Sequence, residues 1–304
     1  MSQGKVTEPA KAVLLCILAY AFFALQDAAV KWLVADHSVF EILFWRSLTV
    51  TVACLLIGRK ALWRQSWQSS SKALLLKRGV LSILAWILYY SAARELSLAE
   101  MTTLYFSAPV IVTVLARLIL KERATGWQWF AVVLGFVGVV IACQPGRMVS
   151  PWPVAMTLLA ALFWAFTYIQ LRQVDGSTSV MVQMLMTNAV FVVCTGVTLP
   201  WTYSATLTLA SAPALLGMIA AGLVGGIGQY LLFLSFTRGT ATLLAPFEYT
   251  GLIWAFMLSS LIWGTVLDMP LIIGAGLIAI SGTLAMLAAQ RRSRVVVGAE
   301  GSTP

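Results

Sequence analysis

Long apolar runs, separated by short polar or charged breaks, fill almost the whole chain. A run of about 20 apolar residues can cross the hydrocarbon of a bilayer as an α-helix, whereas a barrel strand needs only about ten residues of alternating polarity. These runs are long and apolar on all sides, so they predict helices. Ten spans are predicted, near residues 11–35, 40–58, 73–93, 99–120, 126–143, 152–173, 178–199, 213–237, 242–264 and 269–289.

The composition indicates that lipid is the solvent for most of this surface. Of the 304 residues, 60% are hydrophobic and only 10% are charged, whereas soluble proteins carry about 25% charged residues. The first apolar run continues past Asp27 without an obvious cleavage site, so it is predicted to be a retained helix and not a signal peptide. We therefore expect an all-α integral membrane protein.

The positions of the basic residues predict an orientation in the membrane. A net charge of +9 could indicate nucleic acid as a partner, but most Lys and Arg residues lie in short connections between apolar runs. Loops rich in Lys and Arg stay in the cytoplasm, and the side opposite the termini carries only Arg94 and Arg147. We expect no nucleic-acid partner, a location in the cytoplasmic (inner or plasma) membrane, and both termini in the cytoplasm.

Comparison of the chain with itself indicates two related halves. At an offset near 144 residues, the sequence SAAR ending at Arg94 matches SFTR ending at Arg238, Tyr105 matches Tyr249, and Gly138 matches Gly282. Because each half holds five spans, the second half must enter the membrane from the opposite side. The predicted fold is therefore ten transmembrane helices as two inverted five-helix repeats, in residues 1–145 and 146–290, followed by a basic tail, 291–304. Inverted repeats allow a carrier to open to each side in turn.

Four segments carry a family resemblance: YFSAPVIVTVLARLILKER (Tyr105–Arg123), GFVGVV (Gly135–Val140), PFEYTGLIWAFMLSSLIWG (Pro246–Gly264) and GAGLIAISG (Gly274–Gly282). From about Ala12 to Ala288 the chain resembles the drug/metabolite transporter superfamily, specifically the EamA-type family. The resemblance implies a secondary carrier without ATP hydrolysis. It also implies a central cavity lined mainly by the first, third, fourth, sixth, eighth and ninth spans. The chain departs from the family pattern in having Glu122 after the fourth span but Thr265 at the matching place after the ninth.

Charged residues inside apolar spans are the main clue to function, because a charge there is costly unless it is paired or faces water. The candidates are Asp27, Lys31, Arg46 and Glu248. One interpretation is structural: Asp27 pairs with Lys31 four residues later, and Arg46 with Glu248. In the other interpretation, Asp27 or Glu248 binds the solute or a coupling proton. Proton antiport requires a group that can gain and lose a proton in this way.

Aromatic residues recur at helical spacing in the third and sixth spans. Such residues can line a cavity for an organic solute, or they can anchor helices at the membrane interface. Together with the charged residues they make up the predicted set for solute binding or coupling: Asp27, Lys31, Arg46, Trp86, Tyr90, Tyr105, Trp164, Tyr168, Gln229, Tyr230, Glu248 and Tyr249.

Arg94 and Arg238 occupy matching positions in the two halves. They are predicted to gate an anionic group at opposite mouths, or equally to contact lipid phosphates. The chain has a single histidine, His37, and no paired cysteine spacing or nucleotide-binding motif. We therefore expect no enzyme activity, no metal site and no cofactor.

The hypothesis favoured by the sequence is a secondary transporter that exports a small metabolite, most simply an amino-acid-like zwitterion or an opine-type metallophore. One alternative is an importer of a cofactor such as riboflavin, because aromatic walls suit a flat ring. Others are a non-transporting membrane sensor or assembly partner, and a lipid scramblase, which needs a lateral opening. The expected partners are the solute, the lipid bilayer and a coupling proton, with the protein a monomer or a homodimer.

Overall fold

The computed structural model describes residues 9–108, 111, 114–115, 126–143, 150–171, 178–206, 211–238 and 247–300. Within these residues the regular structure is helical, and no strand is present. The helices are α1 (Pro9–Leu33), α2 (Val39–Gln68), α3 (Lys72–Ala92), α4 (Leu98–Tyr105), α5 (Gly126–Cys143), α6 (Trp152–Leu171), α7 (Val180–Thr206), α8 (Ala212–Arg238), α9 (Thr250–Trp263) and α10 (Met269–Glu300).

Several of these helices are long and apolar enough to cross a membrane. Among the described residues they are Ala10–Leu33, Val39–Gln68, Lys72–Ala92, Val180–Pro200 and Ala212–Ser235, with shorter apolar stretches in α5, α6, α9 and α10. Their outward faces are apolar; on α8, for example, Leu216, Leu223 and Ile227 are all exposed. The predicted multi-span α-helical membrane fold is confirmed.

The packing of the helices follows the inverted repeat. In the predicted duplication α1 to α5 correspond in order to α6 to α10. A two-fold relation that exchanges the halves should therefore convert the pair α1 with α8 into the pair α6 with α3. Both pairs are packed together. The pairs α2 with α7, α4 with α9 and α5 with α10 are also packed, and the two-fold relation maps each of these three pairs onto itself. The prediction of two inverted five-helix repeats is confirmed, and the residue boundaries 1–145 and 146–290 stay predictions.

The fourth span is not the continuous helix that we expected. Helix α4 ends at Tyr105, and a turn follows at Phe106 and Ser107. Proline at position 109 has no N–H to donate to the carbonyl of Tyr105, which explains why a regular helix is disfavoured here. The ninth span has a turn at Tyr249, just before α9 and one residue before the position that matches Phe106. The rings of Phe106 and Tyr249 lie 5.5 Å apart, so the two interruptions meet.

Three helices, α2, α7 and α10, extend beyond the ends of their predicted spans. Helix α2 continues to Gln68, with a kink at Arg59 (φ 50°, ψ −156°). After the kink, Trp63 and Trp67 are exposed and packed edge to face, the position that tryptophan favours at a membrane interface. Helix α10 continues through Glu300 and so includes the first part of the predicted basic tail.

Glu122, the acidic residue that follows the fourth predicted span, lies outside the described residues.

Helices α5 and α10 approach closely at two glycines. A Cβ at Gly138 would lie 2.9 Å from the carbonyl oxygen of Gly274, and a Cβ at Gly274 would lie 2.6 Å from the carbonyl oxygen of Gly138. These obstacles are main-chain atoms, which cannot rotate away. Small residues permit this kind of contact in membranes, where close packing drives helix association.

We predict that Gly274→Ala destabilises the protein, because the added methyl group must push the α5 main chain away, at a cost of roughly 1–3 kcal/mol. Gly276→Ala is the matched control on the same helix, since a Cβ there meets nothing within 4 Å. The measurement is the thermal unfolding midpoint of the purified proteins in one detergent. Equal midpoints for the two variants would show that the glycine contact does not limit packing.

Candidate functional site

A buried polar network surrounds Asp27 in the middle of the bundle. The hydroxyl of Tyr89 donates to Asp27 Oδ2 at 3.2 Å, and the hydroxyl of Tyr90 donates to Oδ1 at 3.2 Å. Gln26 Nε2 approaches Oδ1 at 3.5 Å. The two tyrosines are adjacent near the end of α3, so one helix provides donors to both carboxylate oxygens.

Tyr90 connects this carboxylate to a buried cation. Its hydroxyl accepts hydrogen bonds from Arg46 Nη1 at 2.9 Å and from Gln26 Nε2 at 2.8 Å. The guanidinium of Arg46 also lies 4.7 Å from the centre of the Trp86 ring, an arrangement that attracts a cation to an aromatic face. Arg46 is only 7% exposed. A positive and a negative group are thus held on either side of one hydroxyl.

The ion pairs considered from the sequence are wrong. Lys31 donates to the main-chain carbonyls of Ala93 at 2.9 Å and Leu96 at 2.6 Å, and its ammonium lies 5.7 Å from the ring of Trp263. The short segment after α3 provides these acceptors, which helical spacing within α1 cannot reveal. Arg46 binds Tyr90 and stacks on Trp86, and does not pair with Glu248.

Glu248 lies in a second, more aromatic environment. The hydroxyl of Tyr20 on α1 donates to its Oε2 at 3.0 Å. The ring of Tyr20 lies 5.8 Å from Phe23 and 6.1 Å from Phe106. Phe106 in turn contacts Tyr249, as described above. Glu248 therefore lies where the interrupted fourth and ninth spans meet α1.

Tyr105 lies beside the network around Asp27. Its ring is 4.8 Å from Tyr89, which binds Asp27, and 6.2 Å from Trp164 on α6. No described residue forms a hydrogen bond with its hydroxyl. The buried hydroxyl of Tyr249 also lacks a partner in the described part of the chain. These two groups can bind a solute without breaking an existing bond.

Several predicted residues do not join this site. Gln229 accepts a hydrogen bond from Asn188 at 3.4 Å, between α7 and α8. Tyr230 is 45% exposed and continues the outward apolar face of α8, three and seven positions after the exposed Ile227 and Leu223. Its place in the cavity stays a prediction. The side chain of Tyr168 lies outside the described residues.

The two predicted gating arginines lie at opposite ends of the bundle. Leu33 packs at Gly217, and Phe22 packs at Gly228, so α8 runs antiparallel to α1. Arg238, the last residue of α8, therefore lies at the end where α1 begins, which we call the terminal face. Arg94 lies at the other end, the far face, where its Nη2 donates to the carbonyl of His37 at 3.1 Å.

The structure adds residues that sequence reasoning missed. Gln26 and Tyr89 bind Asp27 directly. Each is adjacent in the sequence to a predicted residue, and this adjacency was the one signal that could have identified them. Arg78 is 8% exposed in α3 and binds Gln183 Oε1 of α7 at 3.1 Å. Its position in a basic segment concealed its burial.

Gly225 on α8 leaves room for the polar network. A Cβ at this position would collide with the side-chain amide of Gln26, the group that donates to Tyr90. The absence of a side chain at Gly225 thus allows Gln26 to lie between α1 and α8 and to support the site.

A family model described as "EamA-like transporter family" matches this chain twice, over residues 10–143 and 151–287. The alignment with one solved crystal structure covers 92% of this chain and 98% of the chain in that structure, at 19% sequence identity and with a TM-score of 0.59. That likeness concerns the fold alone. The two matches of the family model divide the chain near the centre, as the internal comparison does.

Curated relatives of this chain are transporters, and those named for a solute differ in that solute. An "Uncharacterized transporter" of Helicobacter pylori is 28% identical over 91% of this chain and 95% of its own length. "Pseudopaline exporter CntI" of Pseudomonas aeruginosa is 30% identical over 88% of this chain and 93% of its own. "Riboflavin transporter" of Rhizobium johnstonii is 26% identical over 75% of this chain and 72% of its own.

We predict that Tyr90→Phe destabilises the protein. The lost hydroxyl leaves Arg46 and Gln26 without their acceptor and removes a donor from Asp27, and each unsatisfied buried group costs about 1–3 kcal/mol. Tyr249→Phe is the matched control, because the hydroxyl it removes has no described partner. Thermal unfolding in detergent should give a lower midpoint for Tyr90→Phe alone. A midpoint for Tyr90→Phe equal to that of the wild type would contradict the proposed network.

Proposed function

We propose that this chain, which belongs to the EamA-like transporter family and transports small metabolites, exports an amino-acid-like zwitterion across the cytoplasmic membrane. The observation that carries this proposal is the network in which Tyr90 separates the anion Asp27 from the cation Arg46. A zwitterion presents an ammonium and a carboxylate a few bonds apart. It can therefore take the place of the Tyr90 bridge, with its ammonium at Asp27 and its carboxylate at Arg46.

The walls around this network favour an organic solute. Trp86 lies under Arg46, and Tyr89, Tyr105 and Trp164 form a row of neighbouring rings from α3 through α4 to α6. Flat apolar surfaces with a few hydroxyl groups bind the body of a metabolite, while the charged groups fix its ends. The free hydroxyl of Tyr105 supplies one further hydrogen bond.

We assign proton coupling to Glu248. Its only described hydrogen bond is from Tyr20, so exchange of a proton rearranges a single contact. Neutralisation of Asp27 would instead disturb its bonds with Tyr89 and Tyr90 and leave Arg46 buried without a nearby anion. Glu248 also lies beside the interrupted spans, where irregular backbone in carriers forms solute and ion sites.

Alternating access follows from the inverted repeats in this proposal. A rocking of one half against the other exposes the central network first to the terminal face and then to the far face. The distribution of Lys and Arg puts the terminal face, with both chain ends, in the cytoplasm. Each chain holds both repeats, so a monomer is sufficient, and a homodimer is compatible with the same mechanism.

Outward transport is favoured by the pseudopaline exporter among the relatives. The second candidate is import of a flat cofactor. Two observations support it: a riboflavin transporter is among the relatives, and the row of rings at Tyr89, Tyr105 and Trp164 suits a planar molecule. A non-transporting sensor or assembly partner is the weakest alternative, because the predicted loops are short.

Neutral variants of the two carboxylates should separate their roles. In proteoliposomes, Asp27→Asn should reduce solute flux by about tenfold or more, because a charged hydrogen bond to the solute is lost. Glu248→Gln should lose uphill transport driven by a pH gradient while solute exchange without a gradient continues. Asp268→Asn, at an exposed carboxylate between α9 and α10, is the control and should behave as wild type. Normal flux in both Asp27→Asn and Glu248→Gln, at normal abundance, would remove the pair from the mechanism.

Metabolite profiling of a deletion strain should identify the solute and its direction of transport. If the protein exports a zwitterion, that compound accumulates in the cells and falls in the medium, and plasmid-borne wild type restores the balance whereas Asp27→Asn does not. Failure to take up an external nutrient would instead support the import alternative. The comparison of cells with medium therefore separates the two directions.

A further inference from the structure

A cavity of about 420 Å³ opens at the far face, away from the central network. It lies between the end of α1, the connection from α1 to α2, the segment after α3, and the end of α9; Lys31, Asp36, His37, Ser38, Arg94 and Trp263 are among its lining residues. Pockets that bind small organic molecules are about 300–1,000 Å³, so this cavity is large enough for a metabolite.

Two cations in this cavity retain donors that can bind a ligand. Lys31 uses two hydrogen bonds, to the carbonyls of Ala93 and Leu96, whereas an ammonium has three N–H donors. Arg94 donates from Nη2 to the carbonyl of His37, whereas a guanidinium has five donors. The described acceptors of both side chains are neutral carbonyls, and a carboxylate forms a stronger hydrogen bond with a cation than a carbonyl does.

The cavity also carries a negative charge and aromatic surface. Asp36 is exposed, and its carboxylate has no partner among the described side chains. Glu41 lies behind the cavity wall, where His37 Nδ1 is 3.5 Å from its Oε2. Trp263 lies beneath the ammonium of Lys31, and Trp32 on the rim is 74% exposed. The lining thus combines groups for a carboxylate, an ammonium and an apolar body.

We infer that this cavity is a second, outer binding site for a small zwitterion of the α-amino-acid type. The carboxylate binds Lys31 and Arg94, the ammonium faces Asp36, and the apolar part contacts the tryptophans. Binding of the carboxylate competes for Lys31 with the carbonyls of Ala93 and Leu96, which join α1 to the segment after α3. Lys31 lies four residues beyond Asp27, about 6 Å along the helix axis. The solute class rests on the proposed function, but binding at this site does not require transport to occur.

The inference is tested by protection of a single cysteine in the cavity. Ser38 lines the cavity, and its side chain makes no capping hydrogen bond, so Ser38→Cys in a background with the four native cysteines replaced by alanine should fold normally. The rate of modification by an anionic methanethiosulfonate reagent is measured on the purified protein in detergent. Three probes share one isobutyl group: L-leucine, 4-methylpentanoate, which lacks the ammonium, and 3-methylbutylamine, which lacks the carboxylate.

L-Leucine should slow modification the most, 4-methylpentanoate less, and 3-methylbutylamine least. Arg94→Gln, a change at an exposed side chain, should raise the leucine concentration needed for protection by about tenfold. Lys31→Met should do the same, and Lys31→Arg, which keeps the charge, should retain protection. Asp268→Asn, at an exposed carboxylate outside the cavity lining, should leave protection unchanged.

Three results would overturn the inference: no protection by leucine, equal protection by leucine and 3-methylbutylamine, or full protection in both Arg94→Gln and Lys31→Met. These outcomes are independent of flux. A protein that shows protection but no transport would contradict the proposed function, whereas a protein that transports without protection would contradict only the outer site.

Discussion

The structure depends on one constraint: charged groups inside a bundle surrounded by lipid must be satisfied by the bundle itself. A buried charge that loses its partner is strongly destabilising, and no water in the hydrocarbon replaces the lost bond. The hydroxyl of Tyr90 meets this constraint for Asp27 and Arg46 together, because it donates to one and accepts from the other. Three helices, α1, α2 and α3, are thereby held in register by a single oxygen atom.

In the proposed function, the same hydroxyl allows a stable network to serve also as a binding site. A direct ion pair between Asp27 and Arg46 would satisfy both charges and leave nothing for a solute to gain. With a neutral hydroxyl between them, each charge has a weaker partner than an opposite charge would be. A zwitterion can therefore replace the bridge without leaving a buried charge unpaired. Glycine at a helix contact, such as Gly225 opposite Gln26, lets the surrounding helices lie near enough for the network to form.

The fold was largely predictable because it depends on simple sequence properties. The lengths of the apolar runs gave the helices, and an odd number of spans in each repeat required their inversion. The interruption after Tyr105 was missed because apolar periodicity does not register a local turn, although Pro109 was visible in the sequence. Likewise, α2 and α10 extend further than hydropathy alone indicates, because a helix can continue past the membrane boundary once its residues face water or headgroups.

The candidate site was predictable in its members but not in its connections. Asp27, Arg46, Trp86 and Tyr90 do meet, because a buried charge demands partners and aromatic or hydroxyl groups can supply them. Which groups pair depends on contacts between distant segments, and no spacing rule within one helix shows that Lys31 binds the carbonyls after α3. The predicted pairing of Asp27 with Lys31 was wrong for this reason.

The separation of the charges along α1 bears on the path of a solute. If Lys31 had paired with Asp27, the two charges would neutralise each other at the centre, and the far-face cavity would lack the ammonium of Lys31. Because each instead binds neutral groups of other segments, α1 presents an anion in the centre and a cation at the floor of the far-face cavity, about one helical turn apart. In the proposed mechanism, a zwitterion that moves along this helix meets the two charges in turn. At each one it replaces neutral hydrogen-bonding groups as the partner of that charge. Because the two positions offer the solute partners of comparable strength, neither position binds it too tightly. A carrier requires this balance in order to release its solute.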